Sequence, residues 1–472
     1  MTPAGRDTMR RFFEPRSVAV VGASASPGKP GNVVIRNILA NGFAGAVHLV
    51  NSRGGDIEGL LAHRSIEALP DGIDQAIVTL PAAQTPATIR ALAARGIRAI
   101  VLAASGFAEV DQMGEELQGE LIRAIRESGA RVIGPNTTGH VSVPGRFTSS
   151  FFPLGAVRSG SVSYVAQTGN FCGISLRHIL SAEHYGIARS IGLGNKADLD
   201  ESDLLDYLGD DPATRSIFLY LESVKDPRRF LAVARAVAAR KPVIMLKGGV
   251  SEAGAAAAVA HTAALAADGR IVDGALVQAG VTRIHRYSDL FHVAKALDAM
   301  PLPGGNRVSF LSPSGAFTVC LTDVARSLGL AVPALEDATR TRLQALAPSF
   351  IRMRNPVDIF GSVGLHGYER AYGDALGAVL ADPNIDAVVV ILMLTSETGV
   401  PALDFIVDLA RKHPAKPVYV TFMGAHEHDV AAKAYLEPRG VPCFMEVEQP
   451  FEVLAVLARC RETMTRLQAR TM

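Results

Sequence analysis

A few segments and single side chains of this 472-residue chain are equipped for chemistry. After the apolar run Val18–Val21 the chain reads Gly22-Ala23-Ser24-Ala25-Ser26-Pro27-Gly28-Lys29-Pro30-Gly31. Small residues let a backbone approach a ligand closely, and the helix expected next offers free N–H groups to a phosphate. The glycine spacing is not GxGxxG. The next strand ends Asn51-Ser52-Arg53, where an NAD site needs an acid for the ribose hydroxyls. Lys29 and Arg53 suit an extra phosphate, as in NADP or coenzyme A, and the residues alone leave that choice open. A second corner, Gln167-Thr168-Gly169, combines a hydroxyl with backbone donors at the expected start of a helix. Its counterpart Ser312-Pro313-Ser314-Gly315 has one N–H fewer because of its proline. On their chemistry alone both corners are as readily plain turns. Glu222 closes the strand-like run SIFLYLE, where parallel sheets build their sites. There a carboxylate could hold one nitrogen of an imidazole and leave the other nucleophilic. His261 stands in an alanine-rich stretch with almost no other functional group, and such a histidine is by itself more often structural.

These residues need a scaffold, and the pattern predicts one. Short β-branched runs alternate with Ala/Leu/Arg-rich segments of helical period, the signature of parallel sheets with crossover helices. A first set of strands, including 17–21, 47–50, 75–80, 98–102 and 131–133, predicts a nucleotide-fold domain over residues 1–145. A second set, beginning at 161–165, fills 146–300, and a third, beginning at 307–311 after the linker-like PLPGGN, fills 301–472. The second and third sets open alike, VSYVAQTGNF against VSFLSPSGAF, which argues for two related sheet domains. His426-Glu427-His428 reads as a polar loop rather than a metal site, and Asn355-Pro356-Val357-Asp358 as a turn.

Composition excludes several classes. Lys and Arg total 47 against 46 Asp and Glu, a net charge of +1, which gives no overall pull toward nucleic acid or an anionic membrane. The longest clean apolar run, 387–394, is far short of a membrane span, and the N-terminus lacks a secretory core. Four scattered cysteines without a CxxC pair argue against disulfides and thiolate zinc. The expectation is a cytoplasmic α/β protein that binds no metal, nucleic acid or membrane.

Several strings in one order then become specific: VAVVGAS, VTLP at 78–81, IGPNTTG at 133–139, SYVAQTG, SIGLGNKADLDESDLL at 190–205, LYLESVKDPRRF, KPVIMLKGG and AHTAALAADGRIVDGALVQAGV. Together they closely resemble the α subunit of the nucleoside-diphosphate-forming acyl-CoA synthetases, which include ADP-forming acetate–CoA ligases and succinyl-CoA synthetases. The resemblance implies a Rossmann-like CoA-binding domain followed by two flavodoxin-like parallel-sheet domains. It implies that a carboxylic acid, CoA and ATP give acyl-CoA, ADP and phosphate, through an acyl phosphate and a phosphohistidine. By its place in the motif that histidine is His261, oriented by Glu222, with Gln167, Thr168 and Gly169 holding its phosphate. CoA falls to Gly22, Ser24, Ser26, Pro27, Lys29, Arg53, Pro81, Ser105, Gly106 and Asn136. The chain departs from the family at Ala263, where glycine is usual, at Thr137 for cysteine, and at Ala166 and Thr168 for serines. No ATP-grasp pair of domains is found, so ATP/ADP and Mg2+ are expected on a separate ATP-grasp β subunit. Competing readings are an acyl or carbamoyl transferase of the same fold, a non-catalytic CoA-binding regulatory protein and, weakest, an NADP dehydrogenase.

Overall fold

The computed structural model describes residues 3–254, 256–257, 269–395 and 399–469. His261 and Ala263 lie outside the described residues. Two units separate: 1–182 with 186–285, and 183–185 with 286–472.

The first unit holds two sheets. In the first, β1 (Ser17–Val21), β2 (Ala46–Val50), β3 (Asp56–Ile57), β4 (Leu60–His63), β5 (Gln75–Val78), β6 (Ala99–Leu102) and β7 (Arg131–Ile133) lie in the order β3-β4-β2-β1-β5-β6-β7. All pairs are parallel except the β3–β4 hairpin. The inner strands are apolar on both faces (AIVL at β6 is wholly buried), as helices on either side require. The chain steps from β1 outward to β2 and then returns to β5 on β1's other side. That reversal opens a crevice at the strands' carboxyl ends.

The second sheet repeats the device. β8 (His140–Ser142), β9 (Phe147–Thr148), β10 (Ser159–Ala166), β11 (Ile187–Gly192), β12 (Ser216–Leu221), β13 (Val243–Lys247) and β14 (Thr282–Ile284) lie in the order β14-β13-β12-β10-β11-β8-β9. Here β10 sits between β11 and β12, and Ala166 lies opposite Tyr220. The residues just after β10 and just after β12, which include the corner and Glu222, therefore come together at a switch point. The β8–β9 hairpin, which straddles residue 145, joins this sheet through β8, which pairs antiparallel with β11.

The second unit holds β15 (Val308–Ser312), β16 (Val357–Asp358), β17 (Ala387–Leu392), β18 (Val418–Phe422) and β19 (Cys443–Phe444), all parallel, in the order β16-β15-β17-β18-β19. The VSYVAQTGNF and VSFLSPSGAF strings begin in β10 and β15, each the switch strand of its sheet, and run into the turns that follow them. Two expectations need correction. Val357–Asp358, read as a turn, is an edge strand beside β15, too short to carry an alternating pattern. His426–His428, read as a loop, opens the helix His426–Leu436. Among the described residues no helix is long and apolar enough to cross a membrane.

Candidate active site

The first candidate region is the carboxyl edge of the first sheet. Gly22 takes φ +94°, and a β-carbon there would lie 2.6 Å from Thr79 Oγ1, so only glycine lets the chain leave β1 in this way. The N–H groups of Gly22 and Ala23 both donate to Val50 O at 3.1 Å. A β-carbon on Gly31 would lie 2.2 Å from Gly22 O, which presses the helix Pro30–Ala40 onto the strand end. No side chain caps that helix; Pro30 brings no N–H, the N–H groups of Asn32 and Val33 donate to Lys29 O at 2.9 and 3.0 Å, and Ser26, Pro27 and Lys29 are exposed around its start. Asn51 donates to Ala23 O at 2.7 Å and accepts from Arg53 N at 2.8 Å. The position where NAD would need an acid is thus occupied by an amide engaged with the backbone, and Arg53 is left exposed. Pro81 follows β5, and Ser105 and Gly106 follow β6; Gly106 N donates to Glu109 Oε1 at 2.7 Å. Burial alone would raise the Glu109 carboxyl, but donors from Asn195 and Gly106 outweigh it and hold it below the usual range.

Asn136 joins this edge to the second sheet. Its N–H donates to Ala104 O at 2.7 Å, and its side chain to Asn195 Oδ1 at 3.3 Å. The strings IGPNTTG and GLGNKAD are laced together here: Asn195 N donates to Pro135 O at 2.8 Å and Ala197 N to Gly134 O at 3.0 Å. A β-carbon on Gly194 would lie 2.0 Å from Pro135 O, so that approach also needs glycine. Thr137, at the departure from the family's cysteine, is buried, and its hydroxyl donates to Gly192 O at 2.5 Å. Thr138 reaches the corner, donating to Gly169 O at 3.0 Å.

The corner differs from expectation in one respect. No continuous helix follows it: a 3₁₀ turn, Asn170–Cys172, gives way at Gly173 to the short helix Ile174–His178. A β-carbon on Gly173 would lie 2.8 Å from the Phe152 ring, so close packing holds the break. Gln167 is engaged with protein partners. Its N–H donates to Tyr220 O at 2.8 Å, and its side-chain oxygen accepts from the N–H groups of Glu222 (3.0 Å) and Ser223 (2.9 Å). Glu222 is 6% exposed, and Tyr220 OH donates to its Oε1 at 3.1 Å.

Two lysines complete the site, and neither stood out in the sequence. Lys196 donates to Glu201 Oε2 at 3.0 Å, to Ser223 O at 2.9 Å and to Gln167 Oε1 at 3.3 Å. Lys247 donates to Glu222 O at 2.6 Å. Burial lowers both ammonium pKa values; for Lys196 it outweighs the opposing pull of Glu201. A lysine within GNKAD, or at the end of the apolar strand VIMLK, looks like a solvated flank until the sheet buries it.

Two cavities collect the predicted residues. Thr168, Gly169 and Glu222 line one of about 500 Å3 together with Gly249 and Gly254. Ser105 and Asn136 from the CoA group line another, of about 180 Å3, with Gln167, Thr168 and Gly169. Gly22, Ser24, Ser26, Pro27, Lys29, Arg53 and Pro81 stand on other strand ends of the first edge and line neither.

A CoA-binding domain model matches residues 16–142, and a succinyl-CoA-ligase-like flavodoxin domain model matches residues 159–297. The chain is 33% identical over 457 residues to the α subunit of the ADP-forming acetate–CoA ligase I of Pyrococcus furiosus, covering 95% of this chain and 97% of that one. The chain belongs to the ADP-forming acetate–CoA ligase α-subunit family. With the ADP-forming acetate–CoA ligase II of Archaeoglobus fulgidus the identity is again 33%, over 96% of this chain but 67% of the longer relative. Among solved structures, the dinucleotide-forming acetyl-coenzyme A synthetase 1 of Ca. Korarchaeum cryptofilum, in complex with phosphate and ADP, is 31% identical. It superimposes with a TM-score of 0.91 over 99% of each chain. The fold is thus the family's: a CoA-binding domain and flavodoxin-like parallel-sheet domains.

Proposed function

We propose that this chain is the CoA-binding, phosphohistidine-bearing α subunit of an ADP-forming acyl-CoA synthetase in the cytoplasm. Residues 1–145 bind CoA, 146–300 carry the phosphohistidine, and 301–472 form a second ligase-type domain. ATP, with Mg2+, binds a separate ATP-grasp β subunit. The observation that carries this reading is the cavity in which Ser105 and Asn136 meet Thr168 and Gly169. It brings the edge assigned to CoA and the corner assigned to phosphate to one place, as transfer between them requires.

The steps balance simply. ATP phosphorylates His261 and leaves ADP. The carboxylate of the acid attacks the phosphohistidine, giving acyl phosphate and free His261. The CoA sulfur then attacks the acyl carbon, loses its proton and expels phosphate. Phosphoryl transfer asks chiefly for positioning and charge stabilisation. Thr168 and Gly169 supply the phosphate pocket, and Gln167 positions the strand end behind them. Glu222 orients the imidazole, and Arg53, Lys29 and the helix beginning at Pro30 hold the phosphates of CoA.

The test uses the chain co-expressed with an ATP-grasp subunit and given ATP labelled in the γ-phosphate. Acid-labile, base-stable label on the chain is expected, absent in His261→Asn and slowed about 10- to 100-fold in Glu222→Gln. Full labelling of His261→Asn would rule the mechanism out.

A further inference from the structure

We propose that Glu109 is a positioning residue for the step in which the CoA sulfur attacks the acyl phosphate, holding the loop after β6 against Asn195. The inference rests on the ligase reading and adds to it a residue set behind the reacting groups.

Glu109 lies in the loop between β6 and the helix Gln112–Ser128. Its Oε1 accepts from Gly106 N at 2.7 Å, and its Oε2 accepts from Asn195 Nδ2 at 2.6 Å. Asn195 follows β11 and is 86 residues away in sequence. One side chain thus ties a strand end of the first sheet to a strand end of the second. The lacing continues through Asn195. Its Nδ2 also donates to Gln118 Oε1 at 3.0 Å, and its Oδ1 accepts from Asn136 Nδ2 at 3.3 Å.

These residues support one wall. Ser105, Asn136, Gly194 and Asn195 line the cavity of about 180 Å3 in which the CoA edge meets the corner, and Glu109 stands behind them. Two backbones in this region need holding. Gly106 takes φ +105°, and Asn136 takes φ +56°, a left-handed conformation that a side chain adopts at a cost. In so small a space a displacement of about 1 Å spoils the line of attack, at about 100-fold in rate.

The link calls for a carboxylate. Two donors converge on Glu109, and each has its own charged oxygen. An amide has one oxygen and must turn its NH2 toward the other donor. Burial opposes ionisation of Glu109, yet Asn195 and Gly106 outweigh it and hold the carboxyl below the usual range. A carboxylate so engaged is a poor acceptor for the thiol proton, which leaves positioning as its part. In the step itself the sulfur–carbon bond forms and the bond from the acyl carbon to the phosphate oxygen breaks. Phosphate leaves, and the thiol proton passes to solvent.

The test uses the chain co-expressed with an ATP-grasp subunit. Labelling of the chain from ATP carrying a γ-phosphate label is measured first. Acyl-CoA formation at saturating CoA is measured next, with the fastest of acetate, isovalerate and phenylacetate. Glu109→Gln should label within about twofold of the unaltered chain, bind CoA within about threefold by calorimetry, and form acyl-CoA about 10- to 100-fold more slowly. Asn195→Asp, which sets two carboxylates face to face, should be slowed as much. Glu109→Gln combined with Asn195→Asp restores an N–H donor opposite a charged oxygen and leaves an oxygen for Gly106 N, so it should regain about tenfold. Unslowed acyl-CoA formation in Glu109→Gln, labelling slowed as much as acyl-CoA formation, or no recovery in the combined variant would overturn the inference and leave the ligase standing. No label and no acyl-CoA with the unaltered chain would overturn the ligase reading, and the inference with it.

Discussion

Lys196 and Glu201 illustrate how far a single pair of side chains can matter in this fold. Both are buried, Glu201 completely, and the ammonium and carboxylate lie 3.0 Å apart. Removing one partner strands the other charge where water cannot reach it, at about 3–5 kcal/mol. Lys196→Met should therefore lower the unfolding free energy measured by urea titration by that much, moving the midpoint down, and adding Glu201→Gln should recover a large part. A midpoint unchanged in the single variant would mean that water reaches Glu201. His140 offers a second test. Phe12 O can only accept, so at 2.6 Å it takes the proton from Nε2, and Nδ1 accepts from Ser149 Oγ at 2.8 Å. Full burial lowers the pKa of His140 to about 3, against an ordinary 6.5. Between these values the unfolded chain binds the proton and the folded one does not, so stability falls as pH drops below about 6.5. The loss at pH 5 is about 2 kcal/mol from this group, and thermal melts from pH 7.5 to 5 should reveal it. His140→Gln should flatten that limb.

At the scale of elements, glycines decide how closely strands and helices approach. Gly31→Ala would place a methyl 2.2 Å from Gly22 O and force the helix Pro30–Ala40 away from β1. Overpacking of this kind costs about 1–3 kcal/mol. Because the same contact fixes the start of that helix, and Lys29 with it, beside the end of β1, CoA affinity should fall along with the melting temperature. Calorimetric titration with CoA checks this; lower stability with full affinity would separate the helix from the CoA site. The elements were unevenly legible. Strands such as Ser17–Val21, Arg131–Ile133 and Ser216–Leu221 stand at the bounds read from their apolar runs. The hairpins β3–β4 and β8–β9 were missed, since their strands of two to four residues are too short for a pattern to form. The helix expected after Gly169 is broken because Gly173 packs against Phe152, a contact between residues that no local propensity encodes.

For the whole molecule, the division of labour is the main prediction. The purified chain alone should bind CoA saturably, more weakly without the 3′-phosphate, and release no ADP from ATP. An ATP-grasp subunit added to it should restore acid-dependent ADP release. ADP release by the chain alone would place the nucleotide site on this polypeptide, and equal affinity for CoA and dephospho-CoA would remove Arg53 and Lys29 from the phosphate assignment.

The sequence by itself determined the class of fold and the family. Strand runs, glycine corners and the ordered strings from VAVVGAS to GALVQAGV are local patterns, and local patterns survive without a structure. It also marked Glu222, Gln167–Gly169 and the Gly22–Lys29 loop, because residues that end parallel strands are where such folds do their chemistry. What only the tertiary structure decided is which of these residues meet. Strand order, not sequence distance, puts Ser105 and Asn136 against Thr168, commits Gln167 to the backbone of Glu222, and buries Lys196 and Lys247 beside an apolar cavity. Those contacts join segments tens of residues apart, and their energy comes from burial that exists only once the sheets are assembled.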